Sequence, residues 1–169
     1  MKRDPIRRQD VRVRRGVRVR VARRADRGAI TALWALADRM HASLQPDYFR
    51  GDGRLDPRLL DALERASDRR ELFVAERQGG VIGFVLVELL EQTRGEMRGR
   101  RGHIDTLVVA ERIRRAGCGT MLVAAAAEWA RVRRVEELLL TVWAGNESAE
   151  RFYEALGLEP VSQVLRLTL

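Results

Sequence analysis

Arg114, Arg115, Gly117 and Gly119 sit between a β-like run, Ile104 to Val109, and an alanine-rich helical pattern, Thr120 to Arg131. Glycine lets the backbone approach a ligand closely and take angles that other residues avoid. The first amides of a helix lack internal partners, and with the helix dipole they favour a phosphate. Two arginines beside them add charge-assisted contacts. The stretch therefore reads either as a phosphate cradle or as a plain glycine turn from strand to helix. Two known phosphate loops do not fit it. A Walker loop needs a Lys after its last glycine, and the only Lys in the chain is Lys2. A dinucleotide fingerprint needs a glycine three positions beyond Gly119, where Leu122 stands. What remains is R-x-x-G-x-G behind a strand that ends at Val109.

A second constellation follows, from Asn146 to Leu158. Asn146 is a helix cap by type, since its side chain can accept from an early helix amide. Glu147 and Glu150 suit a helix N-terminus. Ala149, Phe152, Tyr153 and Leu156 share one helical face, and Gly157 ends the helix as its C′ residue. An ordinary amphipathic helix explains Phe152 and Leu156 but not the order of the two constellations. The first resembles motif A, and N-x-x-A-x-x-F-Y-x-x-L-G-L resembles motif B, of the GNAT superfamily of acyl-CoA-dependent N-acetyltransferases. The similarity covers residues 17–169. It departs from the pattern at Glu111, where Pro is usual, and at Arg115, where Gly is usual.

The elements that must position these residues follow from periodicity. Val17 to Val21 alternates apolar and Arg, as a half-buried strand does. Asp26 caps a helix running to about Ser43, with Ile30, Leu33, Trp34, Ala37 and His41 on its inner face. Residues 45–56 hold Pro46, Gly51 and Gly53 and read as a loop. Asp56-Pro57 opens a second helix to about Ser67. Glu71 to Glu76 and Val81 to Leu90 are strands around the hairpin signal Gln78-Gly79-Gly80. Thr93 to Arg101 is a polar turn. His103 to Val109, Glu137 to Val142 and Gln163 to Leu169 are further strands, with helices at Thr120 to Arg131 and Asn146 to Leu156. The order β-α-α-β-β-β-α-β-α-β is that of the GNAT fold, an α/β (α+β) fold whose mixed central sheet has splayed central strands.

The resemblance implies a chemistry residue by residue. Acetyl-CoA is the implied co-substrate, and no metal is implied. Backbone groups of Leu107, Val108 and Val109 would pair with the pantetheine arm, and an amide at Leu107 or Val108 would polarise the thioester carbonyl. The amides of Arg114, Arg115, Ala116, Gly117, Cys118, Gly119 and Thr120 would cradle the pyrophosphate. Asn146 and Ser148 would approach the cofactor from the next strand–helix junction. Tyr153 matches the tyrosine that protonates the departing thiolate, or else it is a core aromatic. The proton of the amine would go to Glu88, Asp105 or His103, each of which could equally face solvent. Cys118 reads as a small filler between the glycines. His41, Asp47, Tyr48, Phe49 and Asp52 are candidates for the acceptor side, with Trp143 at the edge of the cleft; a loop packed by its own Tyr48 and Phe49 is the equal alternative. The implied reaction is direct transfer of acetyl to a primary amine of a small molecule or protein. The alternative is a silent acyl-CoA-binding module, against which Tyr153 argues.

The chain has 169 residues and a net charge of +8, enough length for one domain. Lys2 and ten arginines against Asp4 and Asp10 give residues 1–24 a net +9, and the rest nets −1. Residues 1–16 therefore read as a basic arm ahead of one domain, 17–169. The arm has no interleaved aromatics to stack bases, so it reads as a solvated terminus rather than a nucleic-acid arm. No apolar run is long enough to span a membrane, the start lacks a signal-like apolar region, and one cysteine makes no internal disulfide. A cytoplasmic location is the expectation, and a homodimer is compatible with all of this.

Overall fold

The computed structural model describes residues 16–90, 99–113 and 117–168. The alternating Val and Arg residues form β1 (Val17–Val21). A 3₁₀ turn at Arg24–Asp26 leads into α1 (Arg27–Leu44), which buries Ile30, Leu33 and Ala37. It also buries Asp38, whose carboxylate accepts the Gly53 N–H at 2.9 Å and so fixes the loop that follows. Asp56 caps α2 (Pro57–Glu64) by accepting from the Arg58 N–H at 2.8 Å, and Pro57 occupies the first turn. β2 (Arg70–Arg77) and β3 (Gly80–Leu89) are joined by Gln78 and Gly79, with φ of 51° and 78°. That is the mirror-image two-residue turn that matches strand twist.

β4 (Arg101–Val109), α3 (Cys118–Val132), β5 (Glu137–Leu140) and α4 (Glu147–Ala155) complete the chain. The sheet runs β1-β2-β3-β4-β5, with β1 to β4 antiparallel and β5 parallel to β4. Helices cover both faces, which is why β3 is almost continuously apolar. Ile30, Leu33, Leu59 and Leu63 pack on Leu72, Val74, Phe84, Leu86 and Val108. On the other face Leu122, Val123, Ala126 and Trp129 pack on Ala75, Val85, Val87 and Ile104.

Two features of the sheet matter for function. β5 pairs with β4 only between Arg101–Ile104 and Glu137–Leu140, so residues 105–109 have no strand on that side among the described residues. This is the expected splay. A register shift between Leu86 and Val87 sets Thr106 and Ile104 opposite them and leaves Asp105 as the extra, bulged residue. Bulges re-aim side chains at such places.

One expected element is absent. Residues 163–168 form no strand, and Val164, Leu165 and Leu167 are 93%, 83% and 84% exposed. Their apolar pattern has no ladder to join, because the sheet ends at β5. β5 itself stops at Leu140 rather than Val142. Residues 1–15, most of the basic arm, lie outside the described residues, as does most of the 93–101 turn.

Candidate active site

The glycine turn is built from two glycines that do different work. Gly117 is the N-cap of α3, with φ 78° and ψ 3° in the left-handed region, and it brings no side chain to cap the helix. Its conformation explains why glycine stands there, and the first amides of α3, at Cys118, Gly119 and Thr120, are left without a capping side chain. Gly119 has a different reason. A Cβ placed there would lie 2.9 Å from Cζ of Phe152. Its role in the fold is close packing of α3 against α4, rather than close approach to a ligand. Cys118 is buried, and burial pushes its thiol up to about 11, as suits a packing residue. Arg114, Arg115 and Ala116 lie outside the described residues. Sequence reasoning missed Gly83 of β3, where a Cβ would meet the Val108 carbonyl at 2.8 Å and the Cys118 sulfur at 3.4 Å. A glycine there lets the start of α3 sit close over β3 beside the Val108 carbonyl.

The end of β4 offers its backbone to the gap. The Ala110 N–H donates to the Ile82 carbonyl at 2.9 Å, and Val108 lies opposite Phe84. Antiparallel pairs alternate between bonded and non-bonded, so Val108 turns its N–H toward β3. Leu107 and Val109 then turn theirs toward the side that β5 has vacated. Of the two amides considered for the carbonyl, the ladder favours Leu107 over Val108.

α4 closes the other side of this region. Asn146 caps it, its side-chain oxygen accepting from the Ala149 N–H at 3.2 Å. Ser148 is exposed and Asn146 half-buried. Tyr153 packs with Phe152, ring centroids 5.0 Å apart, against the same core as Leu107 and Val109. Desolvation by that core pushes its phenol up to about 12.

Glu88, His103 and Asp105 converge as the strand register requires. Glu88 and His103 are cross-strand partners, and Asp105, two residues on from His103, shares its face of the sheet. One polar atom from each lies within 4.8 Å of the other two. Arg58, which sequence reasoning did not single out, bridges this group to α2. Its guanidinium bonds Asp105 and reaches Asp56 at 2.8 Å. Thr106 donates to the other Asp105 oxygen at 2.9 Å. Against the desolvation that raises it, the hydrogen bonds from Arg58 hold the Asp56 carboxyl below its usual range. The donor spacing is one a cation could bridge, but the Arg58 charge already occupies that role at Asp105.

The acceptor-side candidates also cluster. His41 and Phe49 stack at 5.0 Å, Phe49 meets Trp143 edge-on at 4.9 Å, and Tyr48 meets Trp143 at 5.1 Å. Burial lowers the His41 pKa, with Asp38 pulling it the other way. Gln45 donates to the Ala144 carbonyl at 2.9 Å, tying this loop to the start of α4. Asp52 instead serves its own loop, accepting from the Arg54 N–H at 3.0 Å. A cavity of about 130 Å³ lies at the end of β4, lined by Leu33, Met40, Val108, Val109 and Glu111 among others. A larger depression of about 260 Å³, at Arg24, Arg27, Leu63 and Glu64, shares no residue with any of these groups.

Comparison with known proteins gives concordant results. The acetyltransferase (GNAT) family matches residues 37–158. An N-alpha-acetyltransferase of Sulfurisphaera tokodaii is 34% identical over 101 residues, which are 56% of this chain and 59% of that protein. The chain thus aligns with about three fifths of that relative's length. A mutant of the BH1408 protein from Bacillus halodurans superimposes with a TM-score of 0.82 at 22% identity, covering 90% of this chain and 99% of that one. The aminoglycoside N-acetyltransferase AAC(6')-Iy in complex with CoA gives 0.66 at 19% identity, covering 90% and 94%. At these identities the two solved structures speak for the fold alone. Among the described residues, no helix is long and apolar enough to cross a membrane.

Proposed function

Because the chain belongs to the GNAT acetyltransferase family, we propose that it is an acetyl-CoA-dependent N-acetyltransferase that transfers acetyl directly to a primary amine of a small molecule or protein. The observation that carries this reading is the half-unpaired β4 beside a helix whose N-cap is a left-handed glycine. Bound acetyl-CoA supplies the acetyl group already activated as a thioester.

The residues fit such a ligand. The Leu107 and Val109 backbone groups offer hydrogen bonds to an extended amide-bearing arm. The amides of Gly117, Cys118, Gly119 and Thr120 would face the pyrophosphate without competition from a capping side chain, and the helix dipole would add to their pull. In the sequence, Arg114, Arg115 and Ala116 immediately precede this turn, and by type they would add two cations and an amide. The Asn146 oxygen is committed to its helix, so its NH₂ is the group left to donate. Ser148 stands exposed two residues on.

Catalysis would divide between two sides of the sheet. Tyr153 is protonated throughout the neutral range, as an ordinary phenol is, and burial pushes its pKa further up, to about 12. It would donate to the leaving sulfur, a transfer that requires the sulfur to be desolvated in the same apolar wall. Glu88 and Asp105 would hold the acceptor ammonium and take its proton, directly or through water, with His103 within reach. Arg58 would keep Asp105 oriented and lower the net charge of the pair. The aromatic cluster of His41, Tyr48, Phe49 and Trp143, with Asp47, would meet the body of the acceptor.

Two of the three similar proteins are, by description, an N-alpha-acetyltransferase and an aminoglycoside N-acetyltransferase, and both descriptions name transfer to nitrogen. Thiol release from acetyl-CoA should be followed with N-terminal peptides, lysine peptides, polyamines and aminoglycosides. The reading expects one class to accelerate release, with a product heavier by one acetyl group. If acetyl-CoA binds but no amine accelerates release, the chain is the silent acyl-CoA-binding module instead.

A further inference from the structure

Arg166 marks a place on the acceptor side that holds a positive charge. Its guanidinium meets the Asp47 carboxylate at 3.0 Å and lies 5.3 Å from the centre of the Tyr48 ring. A carboxylate and an aromatic ring are the two kinds of group that recognise such a cation. Tyr48 also meets Trp143, and Trp143 meets Phe49, so the ring beside Arg166 is one end of a packed aromatic row.

The resident cation is weakly held. The Arg166 and Asp47 side chains are 51% and 70% exposed, and exposed pairs contribute little. Arg166 lies in a stretch, 158–168, that forms no strand, and its neighbours Leu165 and Leu167 are exposed. A free guanidinium or ammonium can therefore compete for Asp47 and Tyr48.

This place stands beside the transfer site. Leu140 pairs with Ile104, the residue before Asp105. Three residues of chain keep Trp143 within about 11 Å of Leu140. At the transfer site Arg58 faces three carboxylates, Asp56, Glu88 and Asp105. One guanidinium does not balance them, so that end draws positive charge as well.

We propose that Asp47 and Tyr48 form a second cation station, and that the acceptor amine carries a further ammonium or guanidinium that displaces Arg166 from it. This rests on the acetyl-transfer reading and narrows its acceptor from amines at large to di- and polycations. Glu88 and Asp105 take the amine that is acetylated, and Asp47 takes the charge at the far end. As the C–N bond forms and the thiol leaves, the amine becomes a neutral amide. The product then keeps one of its two charged anchors, which favours release.

The test follows thiol release from acetyl-CoA with diamines of increasing length, agmatine and spermidine, each beside the monoamine of matching chain length. A peptide with arginine next to its N-terminus separates a protein acceptor from a small one. The best dication is expected to exceed its monoamine in kcat/KM by about 3- to 30-fold, and added salt should shrink the difference. Asp47→Asn should remove most of it. Arg166→Ala frees the station and should lower KM for dications by about two- to fivefold, leaving KM for monoamines as it was. Both substitutions fall on exposed side chains, where the cost to folding is small. Calorimetry of spermidine without acetyl-CoA reads the station apart from turnover. Arg166→Ala should bind it more tightly than the wild type, and Asp47→Asn more weakly. Equal kcat/KM for monoamines and dications would overturn the proposal and leave the acetyltransferase reading in place. So would a dication preference that survives Asp47→Asn, or spermidine binding indifferent to Arg166→Ala. If no amine is turned over at all, the acetyltransferase reading fails and this proposal fails with it.

Discussion

Replacing Gly119 by Ala separates packing from ligand binding in the glycine turn. The added Cβ would lie 2.9 Å from Cζ and 3.2 Å from Cε2 of Phe152, so the ring must move. That ring is itself wedged against Tyr153 at a centroid distance of 5.0 Å. Overpacking of this kind costs about 1–3 kcal/mol. Ala in place of Gly inside a helix returns roughly 0.5–1 kcal/mol. The net expectation is a loss of about 1–2 kcal/mol, a drop in Tm of a few degrees for a chain of this size. In a Phe152→Leu background the ring edge is gone and only the helix term remains. There Gly119→Ala should stabilise, by roughly 0.5 kcal/mol or more. Urea unfolding of the four proteins in the cycle measures this coupling. Equal destabilisation in both backgrounds would refute the packing argument, as would a Gly119→Ala protein of wild-type stability.

Tyr153→Phe should lower kcat by about 10²-fold with little change in KM for acetyl-CoA. The folded phenol titrates at about 12 against 10 in the unfolded chain, so the unfolded chain releases its proton first. Stability should therefore fall as pH rises from 10 toward 12, by about 2–3 kcal/mol. Alkaline denaturation midpoints should show that part of the loss missing in Tyr153→Phe. Glu88→Gln or Asp105→Asn should each cut kcat/KM for the amine by about 10- to 10²-fold, and the double variant by about 10²–10⁴. Calorimetry should find acetyl-CoA binding unchanged in all three. Asp26 is buried and bonded by Arg20 at 2.7 Å, which holds its carboxyl below the usual range against the cost of burial. Its stabilisation is present above about pH 4 and is lost as pH falls through the lowered value. An acid titration of Asp26→Asn, a less stable protein at neutral pH, should lack that portion of the acid transition.

Local signals carried most of the fold. The Val/Arg alternation placed β1, Asp56-Pro57 placed the start of α2, and the Gln78-Gly79 turn placed the hairpin. Each is a short-range cue in which side-chain type and backbone angle act within a few residues. The last strand failed because an apolar pattern is only half of what a strand needs. The other half is a neighbouring strand to pair with, and no residue near Val164 says whether one is within reach. The site divides in the same way. Gly117 was legible as a turn glycine, but Gly119 and Gly83 owe their identity to Phe152 and to the Val108 carbonyl. Arg58 and Asp105 are 47 residues apart, and their meeting depends on how α2 lies over the sheet. His41, Tyr48, Phe49 and Trp143 pack on one another, as a loop closed by its own aromatics would as well as an acceptor wall. Arg166, which reaches Asp47 across 119 residues, carried no signal at all.

The central claim is that β4 and the Gly117 turn form the acetyl-CoA site. Calorimetry of acetyl-CoA against the wild type and a Gly117→Glu variant tests it most directly. Glu at a left-handed N-cap would be strained and would set a negative charge where the pyrophosphate should lie. The account predicts micromolar binding by the wild type and none by a folded Gly117→Glu protein. Equal binding by both, or no binding by the folded wild type, would contradict it.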